Sequence, residues 1–239
     1  HASLRGYQSF GSKFILAQQK VLIGDEMGLG KTMQALAVFA HLAGEGKKHA
    51  LVVCPPSLRI NWQREIAKFT DLPTHMLHGA DKDVEFEAWQ HSGGVAIAGY
   101  PETRKGKMLA ESLGTSIDVL VVDEAHRAKN PDSQQSQGVH SLTQQAELAV
   151  YLTGTPLENR VSEFEVLLGY LDAEMPKKLE EVRGTASGFQ NAIAGVYLRR
   201  NQVDVLNELP PLTEVEEWVE PKPGDVERYE DAVRRGHFM

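Results

Sequence analysis

Residues 24–32 read Gly-Asp-Glu-Met-Gly-Leu-Gly-Lys-Thr, and they are the strongest local indication of the fold class. It follows a short apolar run and leads into a helical pattern that contains Met33 and Leu36. Gly28 and Gly30 let backbone amides turn inward around phosphate oxygens, and the following helix presents its positive N-terminal end to the same anion. The order of strand, glycine turn and helix therefore predicts a phosphate-binding loop.

The last two residues of this loop carry the chemistry. Lys31 would reach the β- and γ-phosphates of a nucleotide, and the Thr32 hydroxyl would hold Mg²⁺. Strict phosphate loops have glycine where this chain has Asp25, so the aspartate departs from the pattern. The alternative is a glycine turn that does no more than cap a helix.

A second motif, Asp-Glu-Ala-His at residues 123–126, follows the apolar run 117–122. Ligands bind at the carboxyl edge of parallel sheets, so this motif should meet the phosphate-binding loop in space. Asp123 would hold Mg²⁺ through water, and Glu124 would orient or deprotonate an attacking water. The alternative is an ordinary solvated loop after a strand.

The fold class follows from apolar runs without polar alternation, which suit strands buried on both faces of a parallel sheet. Helical patterns lie between them, one after a predicted Ser57 N-cap and one after a predicted Ser162 N-cap. The chain is therefore expected to be an α/β domain with a mostly parallel central sheet and helices on both faces. The runs are residues 21–23, 50–53, 95–98, 119–122 and 148–152, with a possible further strand at 74–77.

The C-terminal third has a looser pattern. From Asp172 the periodicity weakens through several glycines, and Pro210-Pro211 predicts a connector. Residues 213–220 then alternate like a strand, and 224–235 have a charged helical pattern. Because the chain starts without Met and stops just after that pattern, we expect it to be part of a longer polypeptide.

Composition limits the classes of function. The formal charge of -8 argues against a protein that coats nucleic acid, since non-specific affinity comes from cations that neutralise phosphates. Any DNA contact must be local. The sequence has neither a membrane-length apolar run nor a leader pattern, which predicts a soluble intracellular protein of the cytoplasm, nucleoid or nucleus. The single cysteine, Cys54, is predicted to lie in the core.

Residues 25–32 resemble the nucleotide-binding motif of Swi/Snf-type ATPases within helicase superfamily 2, in which aspartate is usual at the first position. Four further segments resemble that family in the same order. Residues 4–8 are similar to its opening segment, 52–62 to its first nucleic-acid motif, 152–156 to its coupling motif and 198–211 to its exit from the first lobe. The resemblance spans nearly the whole chain.

The resemblance implies a first RecA-like lobe at residues 1–209, with 210–239 leading to a second lobe. It also implies a DNA-dependent ATPase that uses ATP and Mg²⁺, moves along the phosphate backbone of duplex DNA without sequence specificity, and remodels protein–DNA complexes. Because the family takes its arginine finger from the second lobe, this chain alone is expected to bind Mg·ATP weakly and hydrolyse it poorly.

The same resemblance assigns individual residues. Gln8 would recognise adenine through its carboxamide, with an ordinary surface glutamine as the alternative. Helical spacing, not the resemblance, predicts that Trp62 lies in the core rather than forming a base-stacking platform, because it shares an apolar face with Leu58 and Ile66. The implied ATP-binding residues are Gln8, Asp25, Met27, Gly28, Leu29, Gly30, Lys31 and Thr32, and the implied DNA-side or coupling residues are Ser57, Arg59, His126, Thr153, Gly154 and Thr155.

Several alternatives stay open at this point. Arg104, Lys105 and Lys107 would either touch DNA or form a solvated helix face. The Arg199-Arg200 pair would either touch nucleic acid or bind acidic groups within the fold. At the level of function, the alternatives are a strand-separating helicase of superfamily 2 and a non-catalytic, ATP-gated scaffold.

Overall fold

The computed structural model describes residues 3–104, 116–154 and 161–205, and a seven-stranded, wholly parallel sheet lies at its centre. The strands run in the spatial order β3-β4-β2-β5-β6-β1-β7. Every described strand pair is parallel, which confirms the prediction of a mostly parallel sheet. The strands are β1 Lys20–Ile23, β2 His49–Val53, β3 Thr74–Met76, β4 Gly94–Ala98, β5 Ile117–Asp123, β6 Ala146–Leu152 and β7 Tyr197–Leu198.

Helices connect the strands and cover both faces of the sheet. Short 3₁₀ turns follow three strands, at Pro56–Leu58, Tyr100–Thr103 and Ala125–Ala128. The α-helices are α1 Gly6–Gln18, α2 Lys31–Gly44, α3 Arg59–Phe69, α4 Lys82–Ser92, α5 Gln134–Gln145, α6 Val161–Leu171, α7 Met175–Glu181, α8 Ala186–Ile193 and α9 Gln202–Val205.

Successive strand residues pack into two separate hydrophobic clusters, because side chains alternate between the two faces of a sheet. Val21 and Ile23 face a cluster that contains Trp62 and other side chains of α2 and α3. Leu22, between them, faces a second cluster built with α5 and α6, which includes Phe164. Both faces of the sheet are therefore buried, which confirms that the continuous apolar runs are strands covered on both sides.

The two predicted helix caps are wrong. Two consecutive prolines, which fix φ, begin a tight 3₁₀ turn, so Ser57 lies within that turn and α3 starts only at Arg59. Leu58 is the N-cap, and it makes no capping hydrogen bond through its side chain. Ser162 lies inside α6, one position after Val161.

The region after Asp172 is more regular than its sequence pattern predicts. It contains α7, α8, β7 and α9, all of them short. Gly184, with φ of +92°, separates α7 from α8, so the glycine marks a turn between helices rather than a long loop. The predicted strand 213–220 and helix 224–235 lie outside the described residues, and the boundary at residue 209 stays a prediction. No described helix is long and apolar enough to span a bilayer.

Candidate nucleotide-binding site

The loop between β1 and α2 has the backbone geometry of a phosphate cradle. Gly28 and Gly30 have φ of +83° and +73°, in the left-handed region that side chains disfavour. Gly30 is the N-cap of α2, so the first amides of that helix point into the loop. A Cβ atom on Gly30 would lie 2.5 Å from Gln8 Nε2, so the carboxamide of Gln8 would have to move aside, and the positive φ is what favours glycine there.

Lys31 bridges this loop from within. Its Nζ donates to the backbone oxygen of Asp25 at 2.7 Å and to that of Glu26 at 3.4 Å. Burial lowers the pKa of Lys31, although the charges of Asp25, Glu124 and Asp123 oppose the effect. The ammonium therefore lies among backbone carbonyls and carboxylates, and an entering phosphate would compete with the carbonyls for it.

Asp123 ends β5 at the same carboxyl edge of the sheet. Its Oδ2 accepts a hydrogen bond from Trp62 Nε1 at 2.8 Å, and its Oδ1 accepts one from the backbone N–H of Glu124 at 2.9 Å. Burial raises the pKa of Asp123, and the Trp62 hydrogen bond acts in the opposite direction. Trp62 is 1% exposed, as expected of a core residue, but sequence reasoning missed that its ring nitrogen orients this carboxylate.

The next residue, Glu124, is held in a strained backbone conformation. Its φ of 53° and ψ of 50° are unusual for a residue other than glycine. The Tyr100 hydroxyl lies 2.8 Å from the backbone oxygen of Asp123 and 3.0 Å from that of Glu124, and it donates to this pair of carbonyls. Burial raises the pKa of Tyr100, so the hydroxyl keeps its proton. Strain of this kind is common at functional sites.

The segment after β6 connects the two motifs. His126 Nδ1 lies 3.3 Å from Thr153 Oγ1 and 3.3 Å from Glu124 Oε2. A Cβ atom on Gly154 would lie 3.0 Å from Met27 Cγ and 3.7 Å from Lys31 Nζ. Three of the predicted coupling residues therefore meet at the nucleotide loop. Thr155 lies outside the described residues.

Gln8 lies on α1 beside the loop. Its Nε2 donates to the backbone oxygen of Leu29 at 3.3 Å, and its Oε1 accepts from the backbone N–H of Arg5 at 3.0 Å. Sequence alone left open an ordinary surface glutamine. The carboxamide links the start of α1 to the loop, and its recognition of a base stays a prediction.

Asp25 faces inward. Its side chain is 0% exposed, pairs with Arg200 and accepts from Gln34 Nε2 at 2.9 Å. The carboxylate is therefore turned away from a phosphate in the loop, and the backbone oxygen of Asp25 is the atom that contacts Lys31. Of the two roles left open for Arg200, the structure has the internal ion pair.

The predicted DNA-side residues differ in their exposure to solvent. Ser57 is exposed in the turn after β2, at the carboxyl edge of the sheet. The side chain of Arg59 is only 12% exposed, and its guanidinium lies 3.6 Å from the Glu102 carboxylate, so in this conformation it pairs within the fold. Lys105 and Lys107 lie outside the described residues.

The protein side chains at this edge of the sheet suit a metal ion that takes most of its ligands from a bound nucleotide and water. Among the described residues, no three His, Cys, Asp or Glu side chains form a cluster that could hold an ion. Magnesium in phosphate-transfer sites usually keeps several waters and binds one or two protein groups plus the substrate phosphates. Thr32 at the start of α2 and the oriented carboxylate of Asp123 match that requirement.

The model of the SNF2-related domain family matches residues 7–239. The chain belongs to this family. The match confirms the resemblance drawn from the motifs, and membership of the SNF2-related family implies that the chain uses ATP.

Curated relatives from distant organisms support the same assignment. The Danio rerio protein "Chromodomain-helicase-DNA-binding protein 1-like" is 32% identical over 89% of this chain and 22% of its own length. The Saccharomyces cerevisiae "ISWI chromatin-remodeling complex ATPase ISW1" is 30% identical over 87% of this chain and 18% of its own length. The chain thus spans about a fifth of these SNF2-related relatives.

Solved structures confirm the RecA-like fold. The "Sulfolobus solfataricus SWI2/SNF2 ATPase core in complex with dsDNA" matches with a TM-score of 0.72 and 26% identity, over 87% of this chain and 47% of that one. The "Sulfolobus solfataricus SWI2/SNF2 ATPase core domain" matches with a TM-score of 0.69 and 24% identity, which bears on the fold alone. The SNF2-related chain covers about half of each solved core.

Proposed function

We propose that this chain is the ATP-binding lobe of a motor that hydrolyses ATP in response to duplex DNA, translocates along it and remodels protein–DNA complexes. The observation that carries the proposal is the convergence of Lys31, Asp123 and Glu124 at one edge of the sheet, around a glycine loop shaped for phosphate. That combination supports phosphoryl transfer rather than simple nucleotide storage.

Each group has a distinct part in the proposed reaction. Lys31 binds the β- and γ-phosphates in place of the loop carbonyls that it contacts now. Thr32 and Asp123 hold Mg²⁺, which neutralises phosphate charge when it is bound. Glu124 orients or deprotonates the attacking water, and its fixed backbone keeps the carboxylate next to His126.

Coupling to DNA is proposed to run through the segment after β6. Thr153 and Gly154 lie between His126 and the loop, so a shift of that segment would reach both the Glu124 carboxylate and Lys31. Ser57 at the same edge is a candidate contact for a DNA phosphate. The solved core that was captured with dsDNA supports duplex DNA as the partner.

Efficient turnover is proposed to need a second RecA-like lobe. Phosphoryl transfer requires charge stabilisation beyond the loop lysine, commonly an arginine from a facing element. The chain covers 47% of the solved core, which supports a partner lobe of similar size. ATP would close the two lobes over DNA, and hydrolysis would reopen them.

The test is ATP hydrolysis by the full-length protein without nucleic acid, with blunt duplex DNA and with single strands. Lys31→Ala serves as the blank, and Glu124→Gln separates nucleotide binding from hydrolysis. Strong stimulation by blunt duplex is the expected result. Stimulation by single strands alone would favour a strand-separating helicase, and no stimulation by either would favour an ATP-gated scaffold.

A further inference from the structure

The segment that follows β7 lies directly against the phosphate-binding loop. The backbone N–H of Glu26 donates to the backbone oxygen of Arg200 at 2.9 Å. Gln202 returns two bonds, from its backbone N–H to Glu26 Oε2 at 2.6 Å and from its Nε2 to the backbone oxygen of Met27 at 2.7 Å. We call residues 200–202 the clamp.

The side chain of Arg200 fixes the clamp in place. Its guanidinium, 12% exposed, binds both carboxylate oxygens of Asp25, with Nε 3.0 Å from Oδ1. It also donates to Gln34 Oε1 at 3.0 Å and to the backbone oxygen of Tyr7. A bidentate pair with a fully buried carboxylate fixes orientation as well as distance. The clamp, the loop, α1 and α2 therefore meet at one guanidinium.

The middle of the phosphate-binding loop is exposed, so few other contacts fix it and the bonds from the clamp matter more. Glu26, Met27 and Gly28 are all exposed, and Gly28 has φ of +83°, a conformation that glycine adopts at a high entropic cost. A bound phosphate would also draw Lys31 away from the loop carbonyls that it now holds. The clamp bonds to Glu26 and Met27 would persist in that state.

We propose that the clamp positions the phosphate-binding loop for nucleotide, so that Arg200 and Gln202 strengthen ATP binding from behind the loop. This inference rests on the proposed binding of Mg·ATP there. Linkage makes the effect reciprocal: if a seated clamp raises nucleotide affinity, bound nucleotide stabilises the seated clamp by the same factor. The position of the clamp therefore depends on whether nucleotide is bound.

The first test is Gln202→Ala in the full-length protein, with the affinity for Mg·ADP measured by calorimetry. We expect affinity to fall about three- to tenfold, the range for loss of one hydrogen bond. The melting temperature without nucleotide should fall by at most about 2–4 °C, because Gln202 is partly exposed and lies on the short helix α9. Gln190→Ala, at an exposed glutamine of α8, is the matched control and should bind like the wild type.

A second variant separates the hydrogen bond from packing. Gln202→Met keeps the side-chain length but has no donor for Met27, so it should bind Mg·ADP as weakly as Gln202→Ala. Wild-type affinity in Gln202→Met would overturn the role of the bond. Hydrogen exchange then tests reciprocity, since the backbone amides of Glu26 and Gln202 should exchange more slowly when Mg·ADP is bound.

The outcomes distinguish this inference from the proposed function. A wild-type protein that fails to bind Mg·ADP would overturn the proposed function itself. A wild type that binds, together with a Gln202→Ala variant of equal affinity and unchanged amide exchange, would overturn the clamp alone. Weakened binding in both Gln202 variants, with slower exchange on ADP addition, would support it.

Discussion

Trp62→Phe tests how the carboxylate of Asp123 is held. The variant keeps an aromatic ring in a site that is 1% exposed but removes the Nε1–H that donates to Asp123 Oδ2 at 2.8 Å. Partners of metal-binding groups typically change metal affinity or activity about 10- to 100-fold when they are removed. We therefore expect the Mg²⁺ concentration for half-maximal nucleotide binding to rise within that range.

The chain supplies a matched control in Trp89→Phe. Trp89 is also fully buried, and its Nε1 donates to the backbone oxygen of Gly94 at 3.2 Å, away from the nucleotide site. Both variants lose the same ring volume, but only Trp62→Phe loses a bond to a charged group, which is stronger by roughly 1 kcal/mol. Trp62→Phe should therefore melt about 2–4 °C lower than Trp89→Phe.

The assay is a Mg²⁺ titration of fluorescent ADP binding to the full-length protein, paired with melting curves for each variant. The wild type and Trp89→Phe are expected to give the same half-saturating Mg²⁺ concentration. An equal shift in both tryptophan variants, or no shift in either, would refute the argument that the indole of Trp62 orients Asp123. In that case, a lower melting temperature of Trp62→Phe would not be enough to support the argument.

Three further predictions concern the loop and its surroundings. Gly30→Ala forces a side chain into φ of +73° and displaces the Gln8 carboxamide beside the loop, so nucleotide binding in calorimetry should weaken. Tyr100→Phe removes the hydroxyl that anchors the strained Glu124, and steady-state kinetics should give a lower kcat with little change in nucleotide affinity. Burial lowers the pKa of Lys31, so the folded protein binds this proton less tightly than the unfolded chain does. The wild type should consequently gain stability relative to Lys31→Met as pH rises from about 8 to 11, and an unchanged difference in melting temperature across that range would contradict the assignment.

The parts of the fold that sequence predicted are those with a local signature. The run 119–122 has no alternation of polar and apolar residues, and this alone predicts a strand buried on both faces. Residues 24–32 contain both the glycine turn and the first residues of the following helix. Ser57 shows the limit of such rules, because the prolines before it impose a 3₁₀ turn that displaces the cap. β7 has only two residues, too few for any periodicity.

The contacts that finish the candidate site have no local signature. Trp62 and Asp123 are 61 positions apart in the chain, and Asp25 and Arg200 are 175 apart. In sequence, Trp62 fits an apolar helix face, and Arg200 has an acidic partner only once β7 lies beside β1. Such pairings depend on tertiary placement, so they became visible only in the assembled lobe.

The distance along the chain between Asp25 and Arg200 also has a consequence for synthesis on the ribosome. At about 5–20 residues per second, roughly 10–35 s separate the emergence of the two residues. During that interval, burying the carboxylate would leave a charge without its cation, which is strongly unfavourable. We therefore expect the nascent phosphate loop to stay hydrated until β7 and Arg200 have been synthesised, and nucleotide affinity to appear late in folding rather than to grow with chain length.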